Sequence, residues 1–424
     1  MNIAIIDADL MYNKSQRFPN LACMKISAFE KSKGNTTELI TEYSQLFKSI
    51  DVYNRYKALK DSESSSNKIK KSLFKVQTSF DIIKQSDVLK FDFIYISKVF
   101  TETVIDDNLL KLPNVKYGGT GFYYDKAEPL PYEVEHIMPD YHLYDKWVQS
   151  QLDNHIGKRS DYQYYLDYSI GFTTRGCIRQ CSFCVNKNYK RCNQHSPVSE
   201  FLDESRPYIC LLDDNVLSCP QWKSIFEELQ STNKPFQYKQ GMDERLLTAE
   251  KCEMIFTKSK WKDKKIFAFD NIKDYDLIES KLKLIRQYTD EEIKFYCFCG
   301  FNHNNPDNYD DDFWKQDIVN LFKRIELLMK YGCHPYIMRY KDYKLSPYYG
   351  TYINIATWCN MPSLFTKLTY TEFVNKCVER SSENSSYKRY YDEYLQANPN
   401  ILHYYNMRYH KWHSEAVNNE IIKK

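Results

Sequence analysis

The stretch GFTTRGCIRQCSFCVN, residues 171–186, decides how this sequence is interpreted, because it places three cysteines on one short loop. Cys177, Cys181 and Cys184 follow C-x3-C-x2-C spacing at the end of residues 169–174, a run that predicts a strand. Three thiolates on such a loop can each bind a different iron of a [4Fe–4S] cluster and leave the fourth iron without a protein ligand. The spacing therefore predicts a cluster with one open iron.

Zinc is the alternative metal for clustered cysteines. A zinc site normally recruits a fourth Cys or His at matching spacing to complete its tetrahedron. The nearest candidates are Cys192 and His195, and Cys192 does not form a second C-x2-C pair with the preceding cysteines. The sequence therefore favours an iron–sulfur cluster over zinc or cysteines that are simply part of the core.

The region around this loop alternates between strand-like and helix-like runs, which is typical of repeated βα units. Six strands are predicted, at residues 169–174, 208–212, 236–239, 265–269, 293–298 and 335–338. Six βα units indicate an open, partial (βα)6 barrel over residues 146–345. Reactive groups in such barrels gather at the carboxyl ends of the strands.

The regions on either side of the predicted barrel differ from it. Residues 1–145 contain strand-like runs at 2–7, 91–97 and 115–121 and a helix-like run at 19–26, which indicate a small doubly wound α/β sheet. The polar stretch 61–71 predicts a surface loop or mobile insertion, and residues 130–144 predict a linker. Residues 346–424 predict a helical C-terminal region.

Composition argues against a protein that wraps duplex nucleic acid, spans a membrane or depends on disulfides. The 424 residues carry 59 Lys+Arg against 56 Asp+Glu, and this near balance gives no reason to expect a protein that wraps duplex nucleic acid. No apolar run approaches the roughly 18 residues that a membrane span needs. The 13 cysteines, an odd number without an export signal, favour reduced thiols. We therefore expect a cytoplasmic protein with no membrane partner.

The cysteine motif, with the aromatic Phe183 before its last cysteine, resembles that of the radical S-adenosylmethionine superfamily. Four segments are similar to the strand ends of the subgroup whose barrel follows a cobalamin-binding-type domain: LLDDNVLSCPQW from 211, QYKQGMDERLLT from 237, IFAFDNIKDYDLI from 266 and FYCFCGFN from 295. GGTGF from 118 and PDYHLY from 139 are similar to that subgroup's domain junction. The resemblance covers roughly residues 1–345.

The resemblance implies an α/β fold in two parts. Residues 1–145 would form a flavodoxin-like (Rossmann-type), cobalamin-binding-like domain, and residues 146–345 a radical S-adenosylmethionine partial (βα)6, TIM-like barrel. Residues 346–424 lie outside the resemblance, and their own sequence pattern predicts a helical tail.

The resemblance also implies a reaction. Cys177, Cys181 and Cys184 would ligate the [4Fe–4S] cluster, and the methionyl amine and carboxylate of S-adenosylmethionine would chelate the open iron. An electron from an external donor such as flavodoxin or ferredoxin would then lead to a 5′-deoxyadenosyl radical that abstracts a substrate hydrogen. Such a radical needs a covered site, so we expect a small molecule or a flexible segment of a larger one as substrate.

Further residues are implied as contacts of S-adenosylmethionine. Asp213 and Asp214 lie where the family's second-strand motif meets the methionyl ammonium, although this sequence has Asp-Asp-Asn in place of the commoner Gly-Gly-Glu. Polar residues after the third and fourth strands would bind ribose hydroxyls or the methionyl carboxylate, and a glycine after the fifth would face adenine. These residues are Gln240, Asp243, Arg245, Asp270 and Gly300.

A structural role is the alternative for several of these side chains. Asp213 or Asp270 could cap the helix that follows its strand. Arg245 could pair with Asp243 or Glu244 at the surface.

The front domain lacks the histidine that the family places beneath cobalt. The histidines before the cysteines are His136, His142 and His155, all beyond the predicted sheet, and no Asp-x-His-x-x-Gly motif occurs. We therefore expect cobalamin to be absent and residues 1–145 to act as a lid or a substrate-presenting domain. A cobalamin-dependent radical S-adenosylmethionine methyltransferase stays the first alternative.

The second alternative is a non-catalytic iron–sulfur or zinc module that binds nucleic acid. Tyrosines interleave with basic residues over 387–412, a pattern that can stack on single strands. The same spacing is more typical of an amphipathic helix packed on the barrel. Nucleic acid is therefore a possible partner that the sequence does not favour.

Overall fold

The computed structural model describes residues 1–64, 82–83, 88–186, 189–306, 308–381 and 385–412. These residues form two compact units. The first unit comprises Met1–Gly171 together with the later segments Val185–Asn188 and Ser196–Ile209. The second comprises Phe172–Cys184, Tyr189–His195 and Cys210–Lys424. The chain thus passes between the units several times.

A four-stranded sheet forms the centre of the first unit. Its strands are β1 (Asn2–Asp7), β2 (Thr36–Ile40), β3 (Phe93–Ser97) and β4 (Val115–Gly118), all parallel and in the order β2-β1-β3-β4. The register sets Ile5 opposite Leu39 on β2 and Tyr95 on β3. The strands predicted near residues 2–7, 91–97 and 115–121 are confirmed, and β2 was not predicted.

The helices of the first unit are mostly short. They are α1 (Ala8–Tyr12), α2 (Leu21–Ser32), α3 (Ile50–Ser64), α4 (Asp107–Leu110), α5 (Thr120–Tyr123), α6 (Tyr132–Glu135), α7 (Asp145–Asp153) and α8 (Gln163–Leu166). The helix predicted over 19–26 is α2, which begins after Asn20 because that side chain accepts a hydrogen bond from Cys23 N at 3.3 Å. Of the polar stretch 61–71, residues 61–64 end α3 and residues 65–71 lie outside the described residues.

The first unit extends beyond residue 145, where the sequence analysis placed a domain boundary. Trp147, Tyr162 and Tyr165 are buried against the face of β1 that carries Ile3 and Ile5. Burial of large aromatic side chains is strongly stabilising. The segment after residue 145 therefore completes the core of this unit.

The remaining eight strands include all six that the sequence predicted. They are β5 (Tyr168–Gly171), β6 (Thr174–Arg175), β7 (Asn193–Gln194), β8 (Tyr208–Leu211), β9 (Phe236–Tyr238), β10 (Ile266–Ala268), β11 (Lys294–Cys299) and β12 (His334–Arg339).

Hydrogen bonds group the six predicted strands into two sheets of three, in the orders β5-β8-β9 and β10-β11-β12. The pairs β10–β11 and β11–β12 are parallel. Within the described residues the two sheets are joined by an isolated parallel bridge, Met242 with Phe267, rather than by a continuous ladder. The mixed α/β class is confirmed, and one continuous barrel sheet stays a prediction.

Helices of the second unit follow its strands and continue into the C-terminal region. They are α9 (Trp222–Ser231), α10 (Ala249–Cys252), α11 (Tyr275–Ile285), α12 (Asp311–Lys330), α13 (Tyr349–Asn360), α14 (Pro362–Phe365), α15 (Tyr370–Ser381), α16 (Ser386–Ala397) and α17 (Leu402–Tyr405). None of the helices in the described ranges is both long and apolar enough to cross a bilayer.

Several aromatic residues of the C-terminal region belong to the core. Tyr391, Tyr394 and Tyr405 are buried, and the Tyr394 hydroxyl donates to Lys315 O at 2.7 Å on α12. The Tyr405 ring lies 5.4 Å from that of Phe322 on the same helix. These three rings pack within the second unit.

Candidate functional site

The cysteine loop lies between two very short antiparallel strands of the second unit. β6 and β7 pair Thr174 with Gln194 and Arg175 with Asn193, so the entry and exit of the loop are hydrogen-bonded together. Gly176 opens the loop with φ 97°, a conformation that favours glycine. A side chain there would meet Arg191 O at 2.1 Å. The geometry therefore requires glycine directly before Cys177.

Asp213, directly after β8, is bonded to the strand that enters the loop. Its Oδ1 accepts from Thr173 Oγ1 at 2.5 Å, Thr174 N at 2.6 Å and Thr174 Oγ1 at 2.7 Å. Its Oδ2 accepts from Thr173 N at 3.1 Å. The next residue, Asp214, accepts from Gly176 N at 2.9 Å. Both oxygens of Asp213 are occupied by the chain, so in this structure it holds the loop entry.

A chain of ion pairs fixes the middle of the loop. Arg179, between the first two cysteines, donates from Nε to Asp243 Oδ2 at 2.5 Å. The other oxygen of Asp243 accepts from Arg245 Nε at 2.7 Å, and Arg245 Nη1 donates to Asp274 at 2.7 Å. Asp243 is only 5% exposed, which strengthens these charge-assisted bonds. The pairing of Arg245 with Asp243 is therefore observed, although Asp243 is buried and the pair does not lie at the surface.

Asn215 contacts the first cysteine of the motif. Its Nδ2 donates to Cys177 Sγ at 3.4 Å, and the backbone N–H of Arg179 donates to the same sulfur at 3.4 Å. Asn215 Oδ1 is buried and has no hydrogen-bond partner in the described part of the chain. A buried acceptor without a partner costs free energy, so this oxygen is available to a donor from a bound molecule.

A cavity of about 250 Å³, here called the loop cavity, lies beside the cysteines. Cys181, Phe183, Arg245 and Asp270 line it, all of them predicted site residues. The Phe183 ring stacks on that of Phe298 at 4.2 Å, which places the motif's aromatic residue against β11. The structure thus brings these four predicted residues together.

Burial controls the ionisation of the groups that line the loop cavity. It raises the pKa of the Asp270 carboxyl to about 6, against the opposing charge of Arg324 and a hydrogen bond from Phe298 N. Burial also raises the pKa of the Cys181 thiol to about 11, and Asp270, Cys177 and Cys184 raise it further. Cys181 is thus protonated at neutral pH, and a metal must displace its proton on binding.

A second cavity, of about 330 Å³, adjoins the loop cavity. The two cavities share four lining residues: Asp270, Asn271, Lys273 and His303. The His303 ring lies 5.7 Å from that of Phe183, and burial lowers the pKa of His303. Cavities of a few hundred Å³ are typical of small-molecule sites.

Gln240 and Gly300, like Asp213, Asp214 and Asp243, are predicted contacts that line neither cavity. Gln240 is exposed and lines neither of them. Gly300, after β11, adopts φ 76°, and its N–H donates to Asp317 at 2.8 Å. A side chain at Gly300 would meet Tyr343 Cβ at 2.9 Å. Packing within the chain is therefore a sufficient reason for glycine at this position.

The loop offers three thiols, those of Cys177, Cys181 and Cys184, and thiolates are the usual ligands of an iron–sulfur cluster. Within the described residues, no group of three or more His, Cys, Asp or Glu side chains is placed to hold one metal ion. The ligands of a [4Fe–4S] cluster bind different irons and therefore do not converge on a single point. The ligand chemistry of three thiols on one loop thus fits a [4Fe–4S] cluster, and Asn215 Oδ1 is a buried acceptor without a partner in the described residues.

The first unit contains a separate cavity of about 770 Å³. It is lined by the ends of β3 and β4, including Tyr95, Ser97, Gly118 and Gly119, and by α2. Ligands of open α/β sheets bind at the carboxyl ends of the strands, so this position can receive a molecule.

The sequence analysis missed several residues of the site. No sequence motif singled out four of them: Arg179, Asn215, Lys273 and His303. Asn215 was quoted only as the third residue of Asp-Asp-Asn, and its position in that motif was the one available signal.

The comparisons with known proteins gave structural similarity alone. No protein-family model matches the sequence, and no curated protein matches it. One similar solved structure is the radical S-adenosylmethionine methyltransferase TsrM from Kitasatospora setae with cobalamin and a [4Fe–4S] cluster bound, at 10% identity and a TM-score of 0.45, covering 80% of this chain and 74% of that one.

A second structure of TsrM, with tryptophan and a SAM analogue bound, has 10% identity and a TM-score of 0.44, covering 79% of this chain and 72% of that one. The first of these structures holds cobalamin.

Proposed function

We propose that this chain is a radical S-adenosylmethionine enzyme. The observation that carries the proposal is the C-x3-C-x2-C loop, closed by β6 and β7 and lined on one side by a cavity that contains Cys181, Phe183, Arg245 and Asp270. When bound, a reduced [4Fe–4S] cluster and S-adenosylmethionine supply a 5′-deoxyadenosyl radical that removes a hydrogen atom from a substrate.

The residues of the chain would then have separate roles. Cys177, Cys181 and Cys184 would ligate the cluster. Arg245, oriented by Asp243 and Asp274, would offer a cation to a carboxylate in the loop cavity, and Asp270 would accept hydrogen bonds from hydroxyl groups. Asp213 would support the loop rather than contact the cofactor, because its oxygens are occupied.

The substrate would occupy the cavity that adjoins the loop cavity. Its lining is rich in amide and carboxylate side chains, with Phe301 and Phe313 as the aromatic residues. This setting supports a polar small molecule or a short flexible segment of a larger one. An external one-electron donor would reduce the cluster. The first unit, which includes residues 1–145 and extends beyond them, would serve as a flavodoxin-like domain that covers or presents the substrate.

Anaerobic reconstitution tests the proposal. We expect about four irons per chain, an electron paramagnetic resonance signal that S-adenosylmethionine changes, and 5′-deoxyadenosine after reduction. Replacing Cys177, Cys181 or Cys184 by alanine should abolish all three. Cys192→Ala is the matched control, because Cys192 is a buried cysteine outside the motif.

Other outcomes point to the alternatives. Bound zinc with no 5′-deoxyadenosine would favour a non-catalytic module, and a retained corrinoid absorbance would favour a methyltransferase. A cluster whose signal ignores S-adenosylmethionine would contradict the proposal.

A further inference from the structure

The side-chain amide of Asn215 contacts Cys177, the first cysteine of the motif, and hydrogen bonds hold the Asn215 backbone in place. Asn215 is 3% exposed and precedes the short helix Val216–Ser218. Its backbone carbonyl accepts from Ser218 N at 3.0 Å and from Ser218 Oγ at 2.9 Å. The backbone of Asn215 is thus held by two hydrogen bonds, and its side chain lies in a buried environment beside Cys177.

The direction of the Asn215 contact has an electrostatic consequence. A ligating thiolate carries no proton, so the amide group that faces Cys177 Sγ must be the N–H donor, as it is here at 3.4 Å. Donors to a ligand sulfur stabilise negative charge on it. Adding an electron makes an iron–sulfur cluster more negative, and hydrogen bonds to its sulfurs are among the factors that set its reduction potential.

We propose that Asn215 is a positioning residue that raises the reduction potential of the cluster by donating a hydrogen bond to Cys177 Sγ. This inference rests on the proposed function, since it requires the cluster. The step that it affects is the gain of one electron by the oxidised cluster from an external low-potential donor, with no bond made or broken. Asn215 eases this step without touching the substrate.

The test measures the potential of the reconstituted full chain by an anaerobic titration followed by electron paramagnetic resonance. Asn215→Leu removes the donor at similar volume. We expect it to hold the cluster and to shift the potential downward by an amount on the order of a tenfold change in the reduction equilibrium, about 59 mV for one electron. Asn215→Asp replaces the donor by a negative acceptor and should shift the potential further in the same direction.

A matched control separates the contact from the general effect of losing a buried amide. Asn354 is 1% exposed and donates from Nδ2 to Tyr387 O at 3.0 Å, in the same unit. Asn354→Leu should leave the potential and the spectrum of the cluster unchanged. An equal shift in Asn354→Leu and Asn215→Leu would overturn the inference.

The remaining outcomes are also decisive. A wild-type chain that assembles no cluster refutes the proposed function, whereas a wild-type cluster whose potential Asn215→Leu and Asn215→Asp leave unchanged refutes only the role of Asn215. If Asn215→Leu holds no cluster, Asn215→Ser replaces it, because serine is polar but too short to reach the sulfur. Loss of the cluster in all three variants would assign Asn215 to assembly and overturn the tuning role.

Discussion

Asp213 shows at the scale of one residue how a carboxylate in a predicted cofactor site can be occupied by the chain itself. Four donors from Thr173 and Thr174 converge on it, and it is 2% exposed. Burial raises its pKa, and these hydrogen bonds act in the opposite direction. Its side chain therefore links the end of β8 to the strand that leads into the cysteine loop.

We predict that Asp213→Ala destabilises the chain. The substitution leaves buried donors of Thr173 and Thr174 without an acceptor, which costs on the order of 1–3 kcal/mol for each unsatisfied group. Urea unfolding should show a lower midpoint, and hydrogen exchange should be faster at residues 173–176. Gln240→Ala is the control, because Gln240 is exposed. Unchanged stability with weaker S-adenosylmethionine binding would instead indicate a direct contact.

At the scale of elements, the cysteine loop depends on the backbone conformation at its first residue. We predict that Gly176→Ala prevents the loop from holding iron, because the new Cβ would lie 2.1 Å from Arg191 O and the positive φ adds strain. The measurement is iron per chain after anaerobic reconstitution.

Gly34→Ala is the matched control for Gly176→Ala. Gly34 has φ 81° with no atom within 4 Å of an added Cβ, so this substitution introduces the strain without the clash. It should cost about 1 kcal/mol in stability and leave iron content unchanged. Full iron content in Gly176→Ala would show that the loop tolerates a different entry.

The sequence predicted the strands that are marked by a local run of apolar residues. Six of the eight strands from residue 168 onward were expected, because each of the six contains a local run of apolar residues. β2 was missed because its residues, TTELI, are mostly half-exposed and show no apolar run. β6 and β7 are two residues each, too short for any periodicity.

The candidate site likewise contains residues that a local sequence pattern reveals and residues that meet only in the folded chain. The three cysteines lie within eight residues of one another, so their spacing is visible in the sequence. Asp243 meets Arg179 across 64 residues, and no local pattern marks such a pair. Asn215 meets Cys177 across 38 residues, and its role depends on the turn that follows β8.

At the scale of the whole molecule, the first unit requires residues beyond the predicted boundary at 145. We predict that a fragment of residues 1–145 does not fold stably, because it lacks Trp147, Val148, Tyr162 and Tyr165 from its core. Burying one large apolar side chain contributes roughly 1.5–3 kcal/mol, and a domain's total stability is about 5–15 kcal/mol.

Circular dichroism, dye binding and urea unfolding of the fragments 1–145 and 1–209 test this prediction. The longer fragment contains every segment of the first unit and should unfold cooperatively. Cooperative unfolding of the shorter fragment with no dye binding would show that the aromatic residues after 145 are dispensable.

The interleaved order of the two units has a consequence for biosynthesis. The last segment of the first unit, Ser196–Ile209, is translated after all three cysteines of the loop. Domains generally fold as units while the ribosome adds residues. The nascent N-terminal unit therefore stays incomplete until the cysteines have left the exit tunnel, so the thiols are already outside the ribosome when that unit can first close.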